Sequence, residues 1–308
     1  MRVLVTGGAG FIGSHFVEHF HKDHEVVVVD NLRTGYHENL QGLNHEFHQV
    51  SVAQSGPIRP LFEGVGLVVH LAALVSVPES MDSPGECIRI NTLGTLNVLE
   101  AARAAGVKKV VFASSSAVYG DNPAMPKLES MLPEPMSPYA VTKLDGEYYM
   151  KIYRDQWGLQ SCSLRFFNVF GPRQDPGSQY AAAIPIFISR ALKGMDLVIY
   201  GDGSQVRDFV FVKDVVQACL LAAEKGEGTY NVASGSHITV QRLAEMIVEL
   251  TGSPSKIIHA PERPGDIHTS YADISHLSSL GYQPTGDLRS NLLETIAFFE
   301  NSPGRGGS

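Results

Sequence analysis

The chain has 308 residues, of which 44% are hydrophobic, so it can bury a sizeable core in one large domain or two closely packed ones. Its 24 basic and 32 acidic side chains give a net charge of −8 with no dense basic run, which argues against a nucleic-acid partner. Three scattered cysteines suggest neither a disulfide framework nor a metal site. A strand predicted from residue 2 leaves no room for a signal peptide, and no apolar run approaches the ~18 residues of a membrane span, so we expect a cytoplasmic protein without a membrane partner.

The N-terminal segment combines a short apolar strand with closely spaced glycines. Residues 3–6 predict a buried strand, and Gly7, Gly10 and Gly13 follow it directly before an amphipathic helix. Unpaired N–H groups and the positive end of the helix dipole make such a helix start favourable for a nucleotide pyrophosphate. Glycines at this spacing allow a tight turn, close approach of a phosphate and close packing of helix on strand. An ordinary strand-to-helix turn could carry the same glycines, so the motif needs further context.

A second strand supplies that context. Residues 25–29 are rich in valine and lead to Asp30, about 20 residues beyond the glycines, where a carboxylate can hold the hydroxyls of a ribose. The loop that follows, with Asn31 and Leu32, would border an adenosine. Arg33 could attract a 2′-phosphate, but the carboxylate of Asp30 would repel that group. We therefore predict NAD as the cofactor rather than NADP.

Strand and helix patterns then alternate along the first half of the chain. Further strands are predicted at about 45–50, 67–71, 109–112 and 161–167, and helices at 87–105 and 139–157. This alternation predicts an α/β fold with a doubly wound parallel sheet, in which ligands bind beyond the carboxyl ends of the strands. Ala72 and Ala73 end one strand, and Ser114, Ser115 and Ser116 end another, so both turns should face the ligand.

Two helices of this half carry polar side chains that need an explanation. Asn91 lies inside the helix predicted at 87–105, where it is either a hydrogen-bonded structural residue or part of the cofactor site. Tyr139 and Lys143 begin the other helix, and their spacing of four residues places a phenol and an ammonium on one face. A phenol has a pKa of about 10 and needs roughly 4 kcal/mol of preferential phenolate stabilisation to act as a base near pH 7. Lys143 and a positively charged nicotinamide ring could supply it, so the pair suggests acid–base catalysis rather than an ordinary helix face.

The second half of the chain is less regular and predicts a smaller α/β unit. Helices are expected at 182–193, 212–225 and 239–251, and strands at 197–200, 229–233 and 256–260. The helix at 212–225 and the strand at 229–233 should return to the large sheet. We therefore assign residues 1–170 and about 208–235 to the cofactor domain, residues 171–207 and 236–308 to the substrate domain, and expect residues 302–308 to be frayed. Arg207 and Arg263 could hold a diphosphate by bidentate hydrogen bonds, although each could equally form a surface ion pair.

Together these motifs resemble a known family, the extended short-chain dehydrogenase/reductases, and within it the NAD-dependent UDP-glucose/UDP-N-acetylglucosamine 4-epimerases. The likeness covers nearly the whole chain. It rests on the glycine turn at 6–13, the segments 70–73, 165–169 and 207–209, and the single residues Asn91, Ser115, Tyr139 and Lys143. The resemblance implies a doubly wound Rossmann sheet with a smaller α/β substrate-binding domain.

The resemblance also implies a role for each matching residue. Tyr139 would be the catalytic acid and base, Lys143 would hold the nicotinamide ribose and tune the tyrosine, and Ser115 would hydrogen-bond the sugar 4-hydroxyl. Ser115 lies four residues before Tyr119 of the Val-Tyr-Gly signature, and Ser114 is the neighbouring alternative. The predicted cofactor-binding residues are Gly7, Gly10, Phe11, Ile12, Asp30, Asn31, Leu32, Leu71, Ala72, Ala73, Asn91, Tyr139 and Lys143. The nucleotide diphosphate end would be held by Asn168, Arg207, Arg263 and Asp266.

A substrate and an assembly follow from the same resemblance. Ser270 occupies the family position beside the sugar 2-substituent, where a bulky tyrosine is typical of strict UDP-glucose enzymes and a small residue of enzymes that accept N-acetylated hexoses. A hydroxymethyl side chain leaves room for an acetamido group. We therefore predict 4-epimerisation of UDP-N-acetylglucosamine and UDP-N-acetylgalactosamine, and also of UDP-glucose and UDP-galactose. Homodimers that pair through two helices per subunit are common in the family, and helices 87–105 and 139–157 are the candidates.

Two departures from the family pattern bear on the alternatives. Ser51 and Val52 stand where an acidic residue often precedes an aliphatic one at the adenine, so the adenine contacts stay open. Ser116 and Ala117 stand where the sister 4,6-dehydratases and the decarboxylases carry an acid, and both reactions are disfavoured without this proton donor. A nucleotide-sugar dehydratase or reductase on the same scaffold and a non-catalytic NAD sensor are the remaining alternatives. A sensor would not need the serine, the tyrosine and the lysine together.

Overall fold

The computed structural model of the protein describes residues 1–177, 182–262 and 267–301. The strands are β1 (Arg2–Thr6), β2 (Glu25–Asp30), β3 (Glu46–Gln49), β4 (Val65–His70), β5 (Lys109–Ser115), β6 (Gln160–Phe166), β7 (Asn168–Phe170), β8 (Leu197–Tyr200), β9 (Val206–Arg207), β10 (Phe209–Phe211), β11 (Gly228–Val232), β12 (Ile238–Thr239), β13 (Ile257–Ala260) and β14 (Thr269–Ser270). Seven of them form a parallel sheet with the order β11-β6-β5-β4-β1-β2-β3.

Helices cover both faces of this sheet. They are α1 (Phe11–Phe20), α2 (Ser55–Ile58), α3 (Val77–Asp82), α4 (Pro84–Cys87), α5 (Gly94–Ala104), α6 (Pro138–Trp157), α7 (Ala183–Leu192), α8 (Val212–Lys225), α9 (Val240–Thr251), α10 (Ser275–Ser278) and α11 (Leu288–Glu300). In the described ranges no helix is both long enough and apolar enough to cross a bilayer.

The sheet is buried on both faces, as an all-parallel sheet requires. Side chains alternate along each strand, so Val3 and Val5 of β1 enter one core and Leu4 enters the other. The first core includes α1 and α8, represented by Phe16 and Val215, and the second lies beneath α5 and α6. This arrangement explains why the central strands read as unbroken apolar runs.

A smaller unit follows the sheet in the chain. Its core is formed mainly by α7, α9 and α11 around β8 and β10. The helix α8 and the strand β11 return to the large sheet, as the sequence predicts. Leu277 and Tyr282 also pack into the first core of the large sheet, although they lie in the segment 236–308 that we assign to the substrate domain. The frayed end expected at 302–308 lies outside the described residues.

Two elements differ from the sequence prediction. The helix expected at 87–105 is divided into α4 and α5 by a π-helical turn, Ile88–Leu93, which contains Asn91. Such π-turns are rare and occur mostly as single turns inside α-helices, often at functional sites. The strand β5 runs to Ser115, three residues beyond its apolar part, because the serines continue to pair with β6. Polar residues at its end hid this extension from the hydrophobic pattern.

Close packing between α6 and β5 depends on Gly146. A Cβ atom at this position would overlap the ring of Phe112, whose own exposure is only 2%. The absence of a side chain therefore lets the helix approach the strand that ends in the serine run. This contact sets the distance between Tyr139, at the start of α6, and Ser115, at the end of β5.

Gly146→Ala should destabilise the protein. Overpacking against a rigid buried ring costs about 1–3 kcal/mol, which exceeds the roughly 1 kcal/mol that alanine gains over glycine in a helix. Gly85→Ala in α4 is the matched control, because a Cβ there meets nothing within 4 Å. Urea unfolding should show a lower midpoint for Gly146→Ala and an unchanged or higher one for Gly85→Ala. Equal midpoints for the two variants would contradict the packing argument.

Candidate active site

A cavity of about 630 Å³ opens beyond the carboxyl ends of β1, β2, β4 and β5. It lies where open α/β sheets bind their ligands. The predicted residues that line it are Gly7, Gly10, Phe11, Ile12, Asp30, Asn31, Leu71, Ala72, Ala73, Ser114, Ser115, Tyr139 and Lys143. Leu32, Asn91, Asn168, Arg207 and Ser270 are not part of this lining, and Arg263 and Asp266 lie outside the described residues.

The glycine turn forms the floor of the cavity. Gly7 has a φ of +70°, and a Cβ atom on it would lie 2.9 Å from the backbone nitrogen of Ala72. The ends of β1 and β4 are therefore in direct backbone contact. Gly10 precedes α1 without any side-chain cap, so the first N–H groups of the helix point toward the cavity. This arrangement fits the pyrophosphate of a dinucleotide.

Asp30 closes the next side of the cavity. Its carboxylate accepts hydrogen bonds from Leu32 N at 2.8 Å and from Ala9 N at 3.0 Å. Burial raises the pKa of Asp30, and these bonds oppose the rise. Each carboxylate oxygen keeps a further lone pair for a ribose hydroxyl. Leu32 supports Asp30 through this backbone hydrogen bond. It has a φ of 59°, packs against the first core and does not line the cavity.

Arg33 is bound by acidic side chains of two neighbouring helices. Its guanidinium forms ion pairs with Glu79 of α3 and Glu86 of α4. The positive charge that could have attracted a 2′-phosphate is thus balanced by two carboxylates, and Asp30 repels such a phosphate directly. The residues around the ribose position fit NAD.

The catalytic candidates lie where α6 meets the end of β5. The Nζ atom of Lys143 donates to the carbonyl oxygen of Ala113 at 2.7 Å. The Oγ atom of Ser115 accepts from Ala117 N at 3.2 Å, and its hydroxyl hydrogen-bonds the phenol of Tyr139. Because this oxygen already accepts a bond, its proton is available to the phenol or to a sugar oxygen. The three side chains predicted as catalytic are therefore in one place.

Burial decides the charge state of this cluster. It raises the pKa of Tyr139, a rise that the bond from Ser115 opposes, and it lowers the pKa of Lys143 to about 8. The ammonium of Lys143 lies 5.8 Å from the centre of the Tyr139 ring. In the cofactor-free protein the phenol is therefore protonated at neutral pH, and the tuning of Tyr139 by Lys143 and by a positively charged nicotinamide stays a prediction.

Ser114 has a different environment from its neighbour. It contributes to the cavity wall, but its hydroxyl donates to Glu147 Oε1 at 2.5 Å and its exposure is 3%. The hydroxyl of Ser114 is therefore already engaged by Glu147, and Ser115 is the serine that faces Tyr139, which favours Ser115 of the two predicted candidates for the sugar 4-hydroxyl. Strand alternation, which sends consecutive side chains to opposite sides, accounts for the difference.

Asn91 is hydrogen-bonded on both sides of its amide group. Its Oδ1 accepts from Leu74 N at 2.7 Å, and its Nδ2 donates to Leu74 O at 3.1 Å and to Thr142 Oγ1 at 3.0 Å. These bonds tie the loop after β4 to the catalytic helix α6. The amide thus supports the cavity from behind, and its contact with the cofactor stays a prediction.

The predicted diphosphate and sugar residues form a second cluster beside the cavity. Asn168 Nδ2 donates to Asp208 O at 2.9 Å, and its neighbour Val169 lines the cavity. Ser270 pairs with Arg207 where β14 runs parallel to β9. Arg207 donates to Val206 O at 3.0 Å and to His268 O at 3.1 Å. The fold thus brings together three residues that are far apart in the sequence.

Among the lining residues that the sequence analysis did not single out, Tyr36 and Asp175 form a pair. The hydroxyl of Tyr36 donates to Asp175 Oδ2 at 2.7 Å, and both residues border the cavity. Their separation of 139 residues leaves no local pattern that could have paired them. His70, in contrast, belongs to the segment that carries the family resemblance. It is buried, and its ring bonds Thr6 at 2.7 Å and Thr95 at 3.0 Å, which ties the glycine turn to α5.

Fold and cavity define the class of protein, a Rossmann-fold enzyme that binds a dinucleotide. In the described part of the chain no group of three or more His, Cys, Asp and Glu side chains could hold a metal ion. A family model described as "NAD dependent epimerase/dehydratase family" matches residues 3–233. The chain belongs to this family. The predictions of the family, of the fold class, of NAD as cofactor and of an isomerase are confirmed.

Individual relatives differ in the reaction that their names describe. The UDP-glucose 4-epimerase of Mycolicibacterium smegmatis is 40% identical over 311 residues, which cover 98% of this chain and 99% of that protein. A UDP-N-acetyl-alpha-D-glucosaminuronate decarboxylase of Bacillus cytotoxicus is 38% identical over 97% of both chains. Overall identity therefore does not separate the two reactions, and the residues at the site must.

Two solved structures are similar over nearly their whole length. A UDP-N-acetylglucosamine 4-epimerase from Methanobrevibacter ruminantium, in complex with UDP-N-acetylmuramic acid, has a TM-score of 0.95 and 43% identity over 98% of each chain. A UDP-glucose 4-epimerase from Thermus thermophilus, in complex with NAD, has a TM-score of 0.91 and 39% identity over 98% of this chain and 100% of that one.

Lys143→Met should remove a pH dependence of stability. The pKa of Lys143 is about 8 in the folded protein, against the ordinary lysine value of 10.5. Between these values the unfolded chain binds more protons, so the contribution of Lys143 to the free energy of unfolding rises as the pH increases from about 8 to about 10.5. Urea unfolding of the cofactor-free protein at both ends of this interval measures the effect.

Wild type should gain stability relative to Lys143→Met over that interval. Lys151→Met, which removes an exposed lysine from the same helix, controls for the loss of a lysine. Parallel pH profiles for wild type and Lys143→Met would contradict the assigned pKa.

Proposed function

We propose that the protein catalyses the reversible 4-epimerisation of UDP-hexoses with a retained NAD. The preferred pair is UDP-N-acetylglucosamine and UDP-N-acetylgalactosamine, and UDP-glucose and UDP-galactose are also accepted. The observation that carries the proposal is the contact of Ser115 and Tyr139 at the mouth of the NAD cavity, with Lys143 one helical turn below. Net oxidation is zero in an epimerisation, so the cofactor can stay in its cavity between turnovers.

The chain's own residues handle one proton. Tyr139, as the phenolate, removes the proton of the sugar 4-hydroxyl while the hydrogen on C4 leaves with its electron pair, and a 4-keto sugar results. NAD, when bound, supplies the acceptance and the return of that hydride. The 4-keto sugar turns within the site, so that the hydride returns to its other face and Tyr139 returns the proton. Ser115 donates to the sugar oxygen in both half-reactions.

Lys143 would act on the tyrosine and on the cofactor ribose. Its ammonium is fixed by Ala113 O and lies over the Phe112 ring, at 5.1 Å from the ring centre. An ammonium has three N–H donors, and the bond to Ala113 uses one, so the others can reach hydroxyl groups that enter the cavity. A positively charged nicotinamide in the cavity would favour ionisation of Tyr139, which would couple proton removal to a loaded cofactor.

The substrate proposal rests on Ser270. Its side chain is small and lies beside Arg207, a candidate partner of the diphosphate, in the short β9–β14 pair. A sugar held by its diphosphate at Arg207 would therefore direct its ring past Ser270. A UDP-N-acetyl sugar occupies the solved relative from Methanobrevibacter ruminantium, which supports acceptance of an acetamido group.

Loss of water or of carbon dioxide is the nearest competing reaction. The turn after β5, Ser116–Tyr119, has no acidic residue at its start. Ser116 and Ala117 therefore offer no proton donor of the kind that the dehydratases and decarboxylases use at this place. A reductase would depend on externally added NADH or NADPH, and a sensor would bind NAD without changing any sugar.

A homodimer is part of the proposal. Val141, Tyr148 and Ile152 form an exposed apolar stripe along α6, and Ile88 and Leu93 continue it on the neighbouring π-turn. The two elements are linked by the hydrogen bond from Thr92 to Asp145 at 3.1 Å. An apolar stripe over two adjacent helical segments is suited to packing against the same stripe of a second copy of the chain. Light scattering of the purified protein tests whether it forms a dimer.

The three cysteines are free and buried, which suits a protein of the cytoplasm.

Tyr139→Phe should remove most of the epimerase activity. Loss of the acid–base group is expected to lower kcat about 10²–10⁴-fold, while NAD remains bound because the ring and the cavity are kept. Tyr149→Phe, a position on the same helix that packs against the second core of the large sheet, is the matched control. Activity is measured by separating the products of UDP-, dTDP- and GDP-sugars incubated without added cofactor. Near-normal turnover in Tyr139→Phe would disprove the assigned mechanism.

Ser270→Tyr should narrow the substrate range. A phenol at this position would occupy the space for the acetamido group, so kcat/KM for UDP-N-acetylglucosamine should fall about tenfold or more relative to that for UDP-glucose. Ser270→Ala keeps the space open and should retain both activities. An equal loss for both sugars in Ser270→Tyr would show that Ser270 does not select the 2-substituent.

A further inference from the structure

The catalytic helix contacts the end of β5 at more than one level. Lys143 holds the carbonyl oxygen of Ala113, and one turn further along α6 the carboxylate of Glu147 accepts from the hydroxyl of Ser114 at 2.5 Å. Residues four apart lie on one helix face, so both bonds come from the face that also begins with Tyr139. The helix α6 therefore holds two consecutive residues at the end of β5, Ala113 and Ser114.

Glu147 is itself held rigidly. Arg165 of β6 binds both of its oxygens, at 2.8 Å from Nε to Oε1 and at 2.7 Å from Nη2 to Oε2. Ser114 and Arg165 are directly paired residues of β5 and β6, so both donors reach Glu147 from the same side of the sheet. The guanidinium also lies 4.7 Å from the centre of the Tyr119 ring. The carboxylate thus has a compensated charge and little freedom to move.

The contribution of the buried Arg165–Glu147 ion pair to stability does not by itself explain its presence. Both side chains are almost fully buried, with side-chain exposures of 5% for Arg165 and 7% for Glu147. Desolvation of two charges offsets most of their attraction, and apolar residues of similar shape often serve stability as well or better. Glu147 is not among the residues that line the cavity. It can influence the reaction only through the groups that it holds.

The serine run makes such a holding group necessary. Consecutive side chains of a strand point to opposite sides, so only one of two adjacent serines can face Tyr139. A slip of one residue would exchange the two hydroxyls. Ser115 and Ser114 are chemically identical, so a contact that recognises Ser114 from behind can reinforce the register that the pairing of β5 with β6 sets.

We propose that Glu147 is a positioning residue of the active site: it holds the hydroxyl of Ser114 on the α6 side of β5 and thereby fixes Ser115 as the serine that faces Tyr139. The inference rests on the proposed roles of Ser115 and Tyr139. Arg165 fixes the carboxylate, the carboxylate fixes Ser114, and the adjoining peptide orients Ser115.

Single alanine substitutions along the run test the proposal in the intact holoenzyme. Ser114→Ala removes the bond to Glu147 and leaves the ion pair with Arg165 in place. It should lower kcat about tenfold, a part of the roughly 10²-fold loss expected when a donor to the reacting oxygen is removed outright in Ser115→Ala. KM should stay within about twofold, because the diphosphate contacts are unaffected. Ser116→Ala is the matched control and should resemble wild type.

The pH profile of kcat gives a readout that a general loss of structure would not move. Ser115 hydrogen-bonds the Tyr139 phenol and favours its ionisation, whereas Cys87 of α4 opposes it, and Lys143 lies on the same helix face. If Ser114→Ala lets Ser115 move, the acid limb of the profile should shift to higher pH, in the direction that Ser115→Ala shows. Ser116→Ala should leave the limb in place.

Glu147→Gln separates positioning from stability. Ser114 Oγ and Arg165 Nε both donate to Oε1, so the amide oxygen should take that place and keep the bond to Ser114, while the charge of Arg165 is left uncompensated. We expect Glu147→Gln to have the lower melting temperature and Ser114→Ala the lower kcat. If kcat instead follows melting temperature across the variants, Glu147 has only a structural role.

The kinetics of Ser114→Ala and Ser115→Ala distinguish a failure of this inference from a failure of the proposed function. A severe loss in Ser115→Ala together with wild-type kinetics in Ser114→Ala would overturn the positioning role and leave the mechanism intact. Wild-type kinetics in Ser115→Ala would overturn the mechanism, and with it the basis of the inference. A kcat loss in Ser114→Ala with an unchanged acid limb would also overturn the positioning role.

Discussion

The approach of α6 to the end of β5 is the constraint on which the site depends. Gly146 makes this approach possible, because any side chain there would overlap Phe112. Lys143 and Glu147, on either side of that glycine, then reach the strand and bind Ala113 and Ser114. A helix one side chain further away would leave the lysine without its carbonyl partner and Tyr139 out of reach of Ser115. The geometry of the catalytic residues in this protein thus depends on the close packing of α6 on β5.

Burial also determines the electrostatics of the site. It lowers the pKa of Lys143 to about 8 and raises that of Tyr139, so the protein alone holds the phenol in its protonated form. His70, buried beside them, has a pKa of about 3 and is neutral, with Lys143 contributing to the decrease. The charged side chains among the described residues that line the cavity are Asp30, Arg33, Lys143 and Asp175. A cationic ring that enters it acts on the phenol through a medium of low dielectric, where charge interactions are strong.

Several polar side chains support the site from outside it. Asn91 joins the loop after β4 to α6, and His70 joins the glycine turn to α5. Each is buried and has its hydrogen-bonding groups occupied, as buried polar groups require. Sequence patterns single out such residues because they interrupt apolar segments, but the same patterns do not distinguish a residue that touches the ligand from one that holds a wall. Asn91 is an example, because its position in the sequence allowed both roles.

The sequence by itself determined the parallel sheet, the cofactor turn and the catalytic pair, because each is encoded locally. Alternating apolar segments define the strands, glycines at 7, 10 and 13 define the turn, and a spacing of four residues defines the shared face of Tyr139 and Lys143. Only the tertiary structure decided which serine of the run bonds Glu147, which backbone groups Asn91 binds, and that Tyr36 meets Asp175 at the cavity. These depend on contacts between distant segments, and no local periodicity records which side of a strand its neighbour will occupy.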